Sequence, residues 1–536
     1  LPTWKQLSPN NKGIQNMTKV LFTTVHKPLG IENENVSAEL YHAQVTKAQG
    51  IFSLRAIFHG WGLDFMAKNL DTPSTVLHYP SMRQFKRELK KGYDYVGITF
   101  VMSTWDKAKE LIDVVRKESP RSKIILGGYG TVIGEVDQYA DHVCRGEGLQ
   151  FMQKLLGEKP KEKLKVPHFI NRSKTVGLAM GSSGIILGGI GCPNGCEFCA
   201  TTHFFKKEHF PILKTGKDVY EAMKTYDEVV PERNYAVIDE DFLKDKKRME
   251  GLYEYTSSEV GLPRSFACFS SSTSILQYTP EWLFELGVDT IWVGVESNMH
   301  DFEKNRGVDI KKMFKDLNKV GINILGSSIV GVDAHTKENI WGDIDNHISL
   351  EPTLSQFLVF SPCPTTPLWD RLEKNGKLLK NYPYDKRDGF HLMFKHDNFT
   401  AEEIEKIQQE AFEKEYRELG PSVMRFIEVT LKGYKTFKDS KKPIHVARVK
   451  KMRSLMMDAL PLFGTIIRNA PSKRVRDKAM QIRQELMEIA TRKEKNLSKI
   501  KAMVMPAFSL YTKYKQRFST RDRHPKILRN QYNHIL

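Results

Sequence analysis

The chain has 536 residues, with 82 Lys and Arg against 64 Asp and Glu, and only six cysteines. The length suits two or three domains with ample core, and cysteine is too scarce for a secreted fold held by disulfides. No run of about 18 apolar residues occurs and the first residues lack a signal-peptide core, so a cytoplasmic protein without a membrane span is expected.

In chain order, the first 160 residues carry four strand-then-loop stretches. They are KVLFTTVHKPLG from Lys19, YDYVGITFVMSTW from Tyr93, KIILGGYGTVIGE from Lys123 and ADHVCRGEG from Ala140. Helical patterns such as DKAKELIDVVRKES separate them. That alternation predicts an open, doubly wound α/β domain over 1–165, with its ligand crevice outside the strand C-termini. Gly127-Gly128 and Gly146-Glu147-Gly148 fall at those ends.

The next stretch, GCPNGCEFCATTHFF, places Cys192, Cys196 and Cys199 within eight residues, while Cys144, Cys268 and Cys363 are scattered singly. The spacing is too tight for a disulfide framework, so the thiols read as metal ligands. Structural zinc wants four ligands, and His203 would complete a Cys3His site. An iron–sulfur cluster is commonly held by four thiolates; with three, one iron stays open for a substrate or cofactor. Gly188, Gly189, Gly191 and Gly195 allow the loop to fold tightly around a bulky group.

Short apolar runs ending in polar or glycine residues then follow. GIILGGIG leads into the cysteines, YAVIDEDF ends in Asp239, Glu240 and Asp241, and SFACFSSS ends in Ser270 to Ser272. TIWVGVES ends in Glu296 and Ser297, INILGSSIVG ends at Gly331, and SQFLVFSPCPTTPLW turns after its strand. Helical stretches such as KDVYEAMKTYDEV lie between them. Six strands in βα alternation predict a parallel barrel or sheet over 166–400, which a zinc knot alone does not.

Residues 401–536 read as helical and basic. Residues 421–536 hold 28 Lys and Arg against 8 Asp and Glu, so the whole positive excess of the chain sits there. Basic amphipathic helices suit an anionic membrane surface. The plainer role is a helical domain that packs its apolar stripe on the barrel and leaves a basic face in water. Nucleic acid ranks last, because no recognised nucleic-acid module is present.

Cys-x3-Cys-x2-Cys with Phe198 before the last cysteine resembles the signature of the radical S-adenosylmethionine (SAM) superfamily. The resemblance implies a [4Fe–4S] cluster on Cys192, Cys196 and Cys199, whose fourth iron takes SAM and cleaves it to a 5′-deoxyadenosyl radical. It implies a partial (β/α)6 TIM-like barrel with cofactors at the strand C-termini, and an electron donor of flavodoxin or ferredoxin type. SAM-binding positions would be Phe198, Asp239, Glu240, Asp241, Ser270, Glu296, Ser328 and Gly331.

The α/β domain preceding such a barrel resembles class B members, which carry a cobalamin-binding-type domain; the likeness covers roughly residues 19–420. Cobalamin modules with a histidine ligand carry Asp-x-His-x-x-Gly. Here the loop reads Thr24-Val25-His26-Lys27-Pro28-Leu29-Gly30, without the aspartate and with the glycine one residue late. His26 is therefore expected to cap a turn rather than ligate cobalt, leaving a bulky residue such as Trp105 to cover the lower cobalt face. The implied cobalamin contacts are Thr24, Val101, Ser103, Thr104, Trp105, Gly127, Gly128, Tyr129, Gly130, Gly146 and Glu147. The expected function is cobalamin-dependent C-methylation of a small, apolar or lipid-like substrate. Radical cyclisation or carbon-skeleton rearrangement is the alternative, and a non-catalytic metal-binding membrane adaptor is a third reading.

Overall fold

The structure is a computed structural model. It describes residues 18–27, 45–54, 60–518 (except 177, 260, 301 and 380) and 526–533. Pro28, Leu29 and Gly30 of the first loop lie outside the described residues. The chain divides into two compact units, one drawn from residues 1–28, 59–167 and 526–536, the other from 29–58 and 168–525.

The first unit is built on β1 (Val20–Thr24), β2 (Ser74–His78), β3 (Tyr95–Thr99), β4 (Lys123–Gly127) and β5 (His142–Val143). All pair in parallel, in the order β2-β1-β3-β4-β5. Apolar runs buried on both faces are what such a sheet demands, and Val20, Leu21, Val96, Ile98, Ile124 and Leu126 are all buried. Helices Trp61–Asn69, Met82–Leu89, Trp105–Glu118 and Gly148–Leu156 lie along the same chain. Ser81 and Gln84 close a capping box on the second. The order reverses between β1 and β3, so the topological switch point lies outside the ends of Thr24 and Thr99. A further strand, Leu528–Tyr532, pairs antiparallel with the outer edge of β2. The helical reading of 401–536 therefore stops short of these residues.

The second unit holds β6 (Ile170–Thr175), β7 (Leu178–Leu187), β8 (Gly189–Ile190), β9 (Phe210–Pro211), β10 (Asn234–Ile238), β11 (Ser265–Phe269), β12 (Val288–Glu296), β13 (Asn323–Val330) and β14 (Leu354–Val359). Its main sheet runs β6-β7-β10-β11-β12-β13-β14, with only β6 antiparallel. The six parallel strands follow chain order, which is the order of a barrel wall rather than of a doubly wound sheet. These are the six strands expected from the sequence.

Helices Ser422–Phe437, Pro443–Ala459, Phe463–Arg468, Lys473–Ile489 and Arg492–Phe518 complete this unit. They share a core that includes Met424, Ile427, Leu431, Met456, Phe463, Val475, Ile482 and Leu486. Helix Pro443–Ala459 docks where the barrel strands begin. Arg448 donates to the carbonyl of Val288 (3.1 Å), and Lys451 donates to Ser265 Oγ (2.9 Å) and to the carbonyl of Pro263 (3.1 Å). The strand C-termini lie at the opposite end. Among the described residues no helix is long and apolar enough to cross a membrane.

Candidate functional site

The cysteine loop leaves the end of β8 and is fastened at several points. Gly191 turns at φ +82°, and a Cβ there would stand 2.3 Å from the carbonyl oxygen of Glu208, so only glycine permits the close approach. Asn194 Nδ2 donates to Asp241 (2.9 Å), and Leu368 N donates to the carbonyl of Glu197 (3.1 Å). Phe198 packs edge-on against Phe302, with ring centroids 5.4 Å apart. All three cysteines are free thiols; Cys192 is buried and Cys196 and Cys199 are half-buried. Burial raises the Cys192 thiol and pushes that of Cys196 up to about 11. The Lys304 ammonium acts against that rise at Cys196. His203 turns Nε2 toward the carbonyl of Cys196, 3.1 Å away. Among the described residues no group of three or more His, Cys, Asp and Glu side chains is arranged to hold one metal ion.

The strand ends around this loop divide into two kinds. Asp241 is buried and fully engaged, accepting from Ser270 Oγ (2.8 Å), Ser271 N (3.0 Å) and Oγ (2.8 Å), and Ser274 Oγ (3.0 Å), besides Asn194. Asp239 is buried between Arg248 (2.9 Å) and His209 (3.2 Å). Burial alone would raise its carboxyl, but His209 and Arg248 outweigh that and hold it below the usual range. Ser328 lies 2.6 Å from His347 Nδ1, and Gly331 donates its N–H to His335 Nδ1 (3.0 Å). These side chains and this amide are committed to the protein itself.

Glu240 is of the other kind. Its side chain is accessible, with no hydrogen-bond or ion-pair partner among the described residues. Enclosure by the surrounding protein and then the charge of Asp239 push its carboxyl up to about 7. Glu296 sits at a bulge of β12 with a left-handed φ of +63°, a strained conformation for a non-glycine residue. Its carboxylate is paired with Lys304, whose Nζ also lies over the Phe198 ring at 5.9 Å. Asn305 holds the bulge by donating to the carbonyls of Gly294 and Val295.

In the first unit, Val101 is exposed and Ser103, Tyr129, Gly146 and Glu147 are half-buried at the strand ends. Glu147 caps the following helix through Leu149 N and Gln150 N. Other expected contacts face inward. Thr24 accepts from Tyr79 N (2.7 Å), and Thr104 bonds with the backbone of Val101. A Cβ on Gly128 would stand 2.6 Å from Thr99 Oγ1, and one on Gly130 would strike the Phe100 ring at 2.3 Å. Gly127 is half-buried and meets nothing closer than Cys144 Cβ. Trp105 is wholly buried, stacked on Phe100 at 5.1 Å and donating to Glu135 (2.6 Å). It is a core residue and not the exposed cover expected for a corrin face. His26 is buried, with Nδ1 2.9 Å from the carbonyl of Lys27 and Nε2 3.0 Å from Glu110, as a residue closing a turn would be.

No family model matches the chain. Among curated proteins, it is 24% identical over 380 residues to an uncharacterized methyltransferase of Pyrococcus horikoshii, covering 62% of this chain and 80% of that one. It is 25% identical over 224 residues to the hopanoid C-2 methylase of Rhodopseudomonas palustris, covering 39% of this chain and 41% of that one. It is 22% identical over 357 residues to the bacteriochlorophyllide d C-12(1)-methyltransferase of Chlorobaculum tepidum, covering 60% and 75%. Its fold matches that of the radical SAM methyltransferase TsrM from Kitasatospora setae, solved with cobalamin and a [4Fe–4S] cluster. The TM-score is 0.52 at 13% identity, over 83% of this chain and all of that one.

Its sequence relatives are methyltransferases, and its fold is that of a radical SAM methyltransferase.

The residues present fit a [4Fe–4S] cluster and SAM. Three thiols on one loop stand at the C-terminal mouth of the parallel strands, with the Lys304 ammonium placed to offset thiolate charge. Glu240 is a carboxylate without a partner among the described residues, suited to an ammonium group. Sequence reasoning did not single out Lys304, Asn194 or Arg248. Lys304 lies in a stretch without a motif, and Asn194 stands between cysteines whose spacing is the stronger signal. Only pairing in space reveals them.

Proposed function

We propose that this chain is a cobalamin-dependent methyltransferase acting on an unactivated carbon of an apolar, lipid-like substrate. The observation that supports it most is the pairing, in one chain, of a three-thiol loop at a parallel barrel mouth with a β2-β1-β3-β4-β5 domain. The names of two relatives, methylases of a hopanoid and of a bacteriochlorophyllide, support an apolar substrate class.

When bound, the cluster supplies the electron that cleaves SAM, and the cobalamin supplies the methyl group. Cys192, Cys196 and Cys199 would ligate the cluster, and Lys304 would balance their charge. Because the free Cys196 thiol is raised to about 11, loading the cluster releases protons at neutral pH. Glu240 would accept the ammonium of SAM's methionine part. Asp241 keeps the cysteine loop fixed through Asn194 and does not itself meet the ligand. Val101, Ser103, Tyr129 and Gly146 would line the cobalamin crevice at the switch point, and no side chain of the first loop ligates cobalt. An electron donor of flavodoxin or ferredoxin type completes the system, and the C-terminal region places the enzyme at an anionic membrane surface.

Protein purified without oxygen should contain about four irons and four sulfides per chain. Cys→Ala at 192, 196 or 199 should abolish the cluster absorption and the formation of 5′-deoxyadenosine, while His203→Ala should keep both. Mass spectrometry of lipid extracts from cells with and without the gene should show a product one methyl group heavier than its precursor. A colourless protein holding one zinc would overturn the reading. SAM cleavage without any methylated product would put ring closure or rearrangement in its place.

A further inference from the structure

The helix Arg492–Phe518 has two faces, and the helical core explains only one of them. One face is ordinary: Met505 is buried in the C-terminal helical core and Thr512 is buried beside it. The opposite face carries Ile500, Met503, Val504, Leu510, Tyr511 and Tyr514, all exposed, with Met503 at 77% and Leu510 at 71%. Ala507 is exposed among them. Their spacing is that of one continuous helical stripe, about 21 Å long from Ile500 to Tyr514 at 1.5 Å per residue. Isolated exposed apolar residues are ordinary, whereas a contiguous stripe of this kind marks an interaction surface.

The charges beside the stripe identify what it fits. Projected at 100° per residue, Lys499 and Lys513 border one edge and Lys501 and Lys515 border the other. The Lys515 ammonium lies over the Tyr511 ring at 5.0 Å. Glu494 is the helix's sole acidic residue, and it is paired with Arg453 at 2.7 Å. A second copy of this helix laid on the stripe would bring lysine rows of like charge together. An anionic lipid surface does the reverse: it takes the apolar side chains below the headgroups, while lysines snorkel to the phosphates. The tyrosines suit the boundary between the two. The helix is too charged to span a bilayer, so it would lie in the plane of the surface.

We propose that this face of Arg492–Phe518 is a docking surface for anionic lipid bilayers, with Met503 and Leu510 as its inserted anchors. The inference deepens the peripheral-membrane part of the functional reading, but it is tested without any turnover, so either can fail alone.

The experiment is co-sedimentation of the full-length protein with vesicles of phosphatidylcholine alone or mixed with phosphatidylglycerol. Wild type should bind only the mixed vesicles, and more weakly as salt rises. Met503→Glu and Leu510→Glu should each weaken binding by about tenfold or more, because burial of one such side chain supplies at least that factor. Lys499→Glu with Lys513→Glu should weaken binding and flatten what remains of its dependence on salt. Both apolar positions are exposed, so thermal unfolding should be unchanged; a variant that melts early is replaced by Met503→Ser or Leu510→Ser and read the same way. Binding that is equal on both vesicles, absent from both, or indifferent to these substitutions overturns the proposal. So does concentration-dependent dimerisation that Leu510→Glu abolishes in a protein that ignores vesicles. Binding that survives Met503→Glu but is competed away by an oligonucleotide would overturn it in favour of nucleic acid.

Discussion

Asp239, Glu240 and Asp241 are consecutive carboxylates at the end of β10, and their neighbours give them three different fates. Asp239 is paired with Arg248 and His209, and Asp241 is hydrogen-bonded by four hydroxyl or backbone donors and Asn194. Glu240 alone faces the mouth without a partner among the described residues. The sequence marked all three as one SAM-binding segment, because alternation along a strand end cannot say which donors will arrive from β11 or from the cysteine loop. The distinction is testable. Asp241→Ala strands four buried donors and frees Asn194, so it should lower stability by about 2–4 kcal/mol and reduce bound iron after anaerobic reconstitution. Glu240→Gln should leave the denaturant midpoint within about 0.5 kcal/mol of wild type and the iron content unchanged. It should weaken SAM binding in a titration about tenfold, the loss of one charge-assisted contact. A Glu240→Gln protein that binds SAM normally would remove this residue from the site.

At the scale of elements, what could be read from the sequence was a strand with a clean apolar run and a polar end. Six barrel strands and four of the first sheet met that description. β2 did not, since Ser74, Thr75 and His78 are fully buried polar residues, satisfied by partners far along the chain. Tyr93 OH bonds to Thr75 Oγ1 (3.1 Å), and His78 pairs with Asp64. β6 is a polar outer strand and shows no apolar pattern. The strand Leu528–Tyr532 was masked by the basic helices before it, and its role depends on residues more than 440 positions away. Asn530 and Tyr532 both donate to Asp64 Oδ1 at 2.7 Å, and Arg529 pairs with Glu88 at 2.8 Å. A chain ending at Pro525 should therefore lose more than a frayed terminus: Asp64 would be left buried with His78 alone, and β2 would become an open edge. Its melting temperature should fall by several degrees. Burial would raise the Glu88 carboxyl, but hydrogen bonds from Arg529, Lys91 and Tyr93 bring it down from 4.5 to about 2. A depressed carboxyl stabilises the fold above 4.5, and that contribution drains away as pH falls toward 2. The gap in stability between wild type and Glu88→Gln should accordingly narrow from pH 4.5 to 2 in acid-unfolding curves. A constant gap would show that the pair does not act through charge.

Across the second unit as a whole, chemistry and support lie at opposite ends of the same strands. The cysteines, Glu240 and Glu296 stand at the C-terminal mouth, while helix Pro443–Ala459 covers the strand starts. The large positive charge of the C-terminal region is partly spent there. Arg448 is buried with its guanidinium 4.3 Å over the Phe284 ring and its donors on the carbonyls of Val288 and Arg264. Burial lowers Arg448 to about 10 and Lys451 to about 7, as expected for cations held mainly by neutral oxygens, with the carboxylates of Asp289 and Glu259 only partly offsetting it. Burial raises Asp289, and Lys451 and Arg448 act to bring it back. Stopping the chain near residue 440 would expose this base along with the tail's own core, so such a protein should be poorly folded and uninformative about membranes. A single substitution isolates the support role. Arg448→Ala leaves two strand-start carbonyls without donors and Asp289 without its nearest guanidinium, a loss of about 3–5 kcal/mol for breaking a buried charged contact. Because the mouth is a strand length away, the folded fraction should still take up its full iron and bind SAM with unchanged affinity. Arg448→Lys, which keeps the charge but loses the fork of donors, should fall between. Loss of SAM affinity in a well-folded Arg448→Lys protein would mean that base and mouth are coupled through the strands, contrary to the separation that the topology implies.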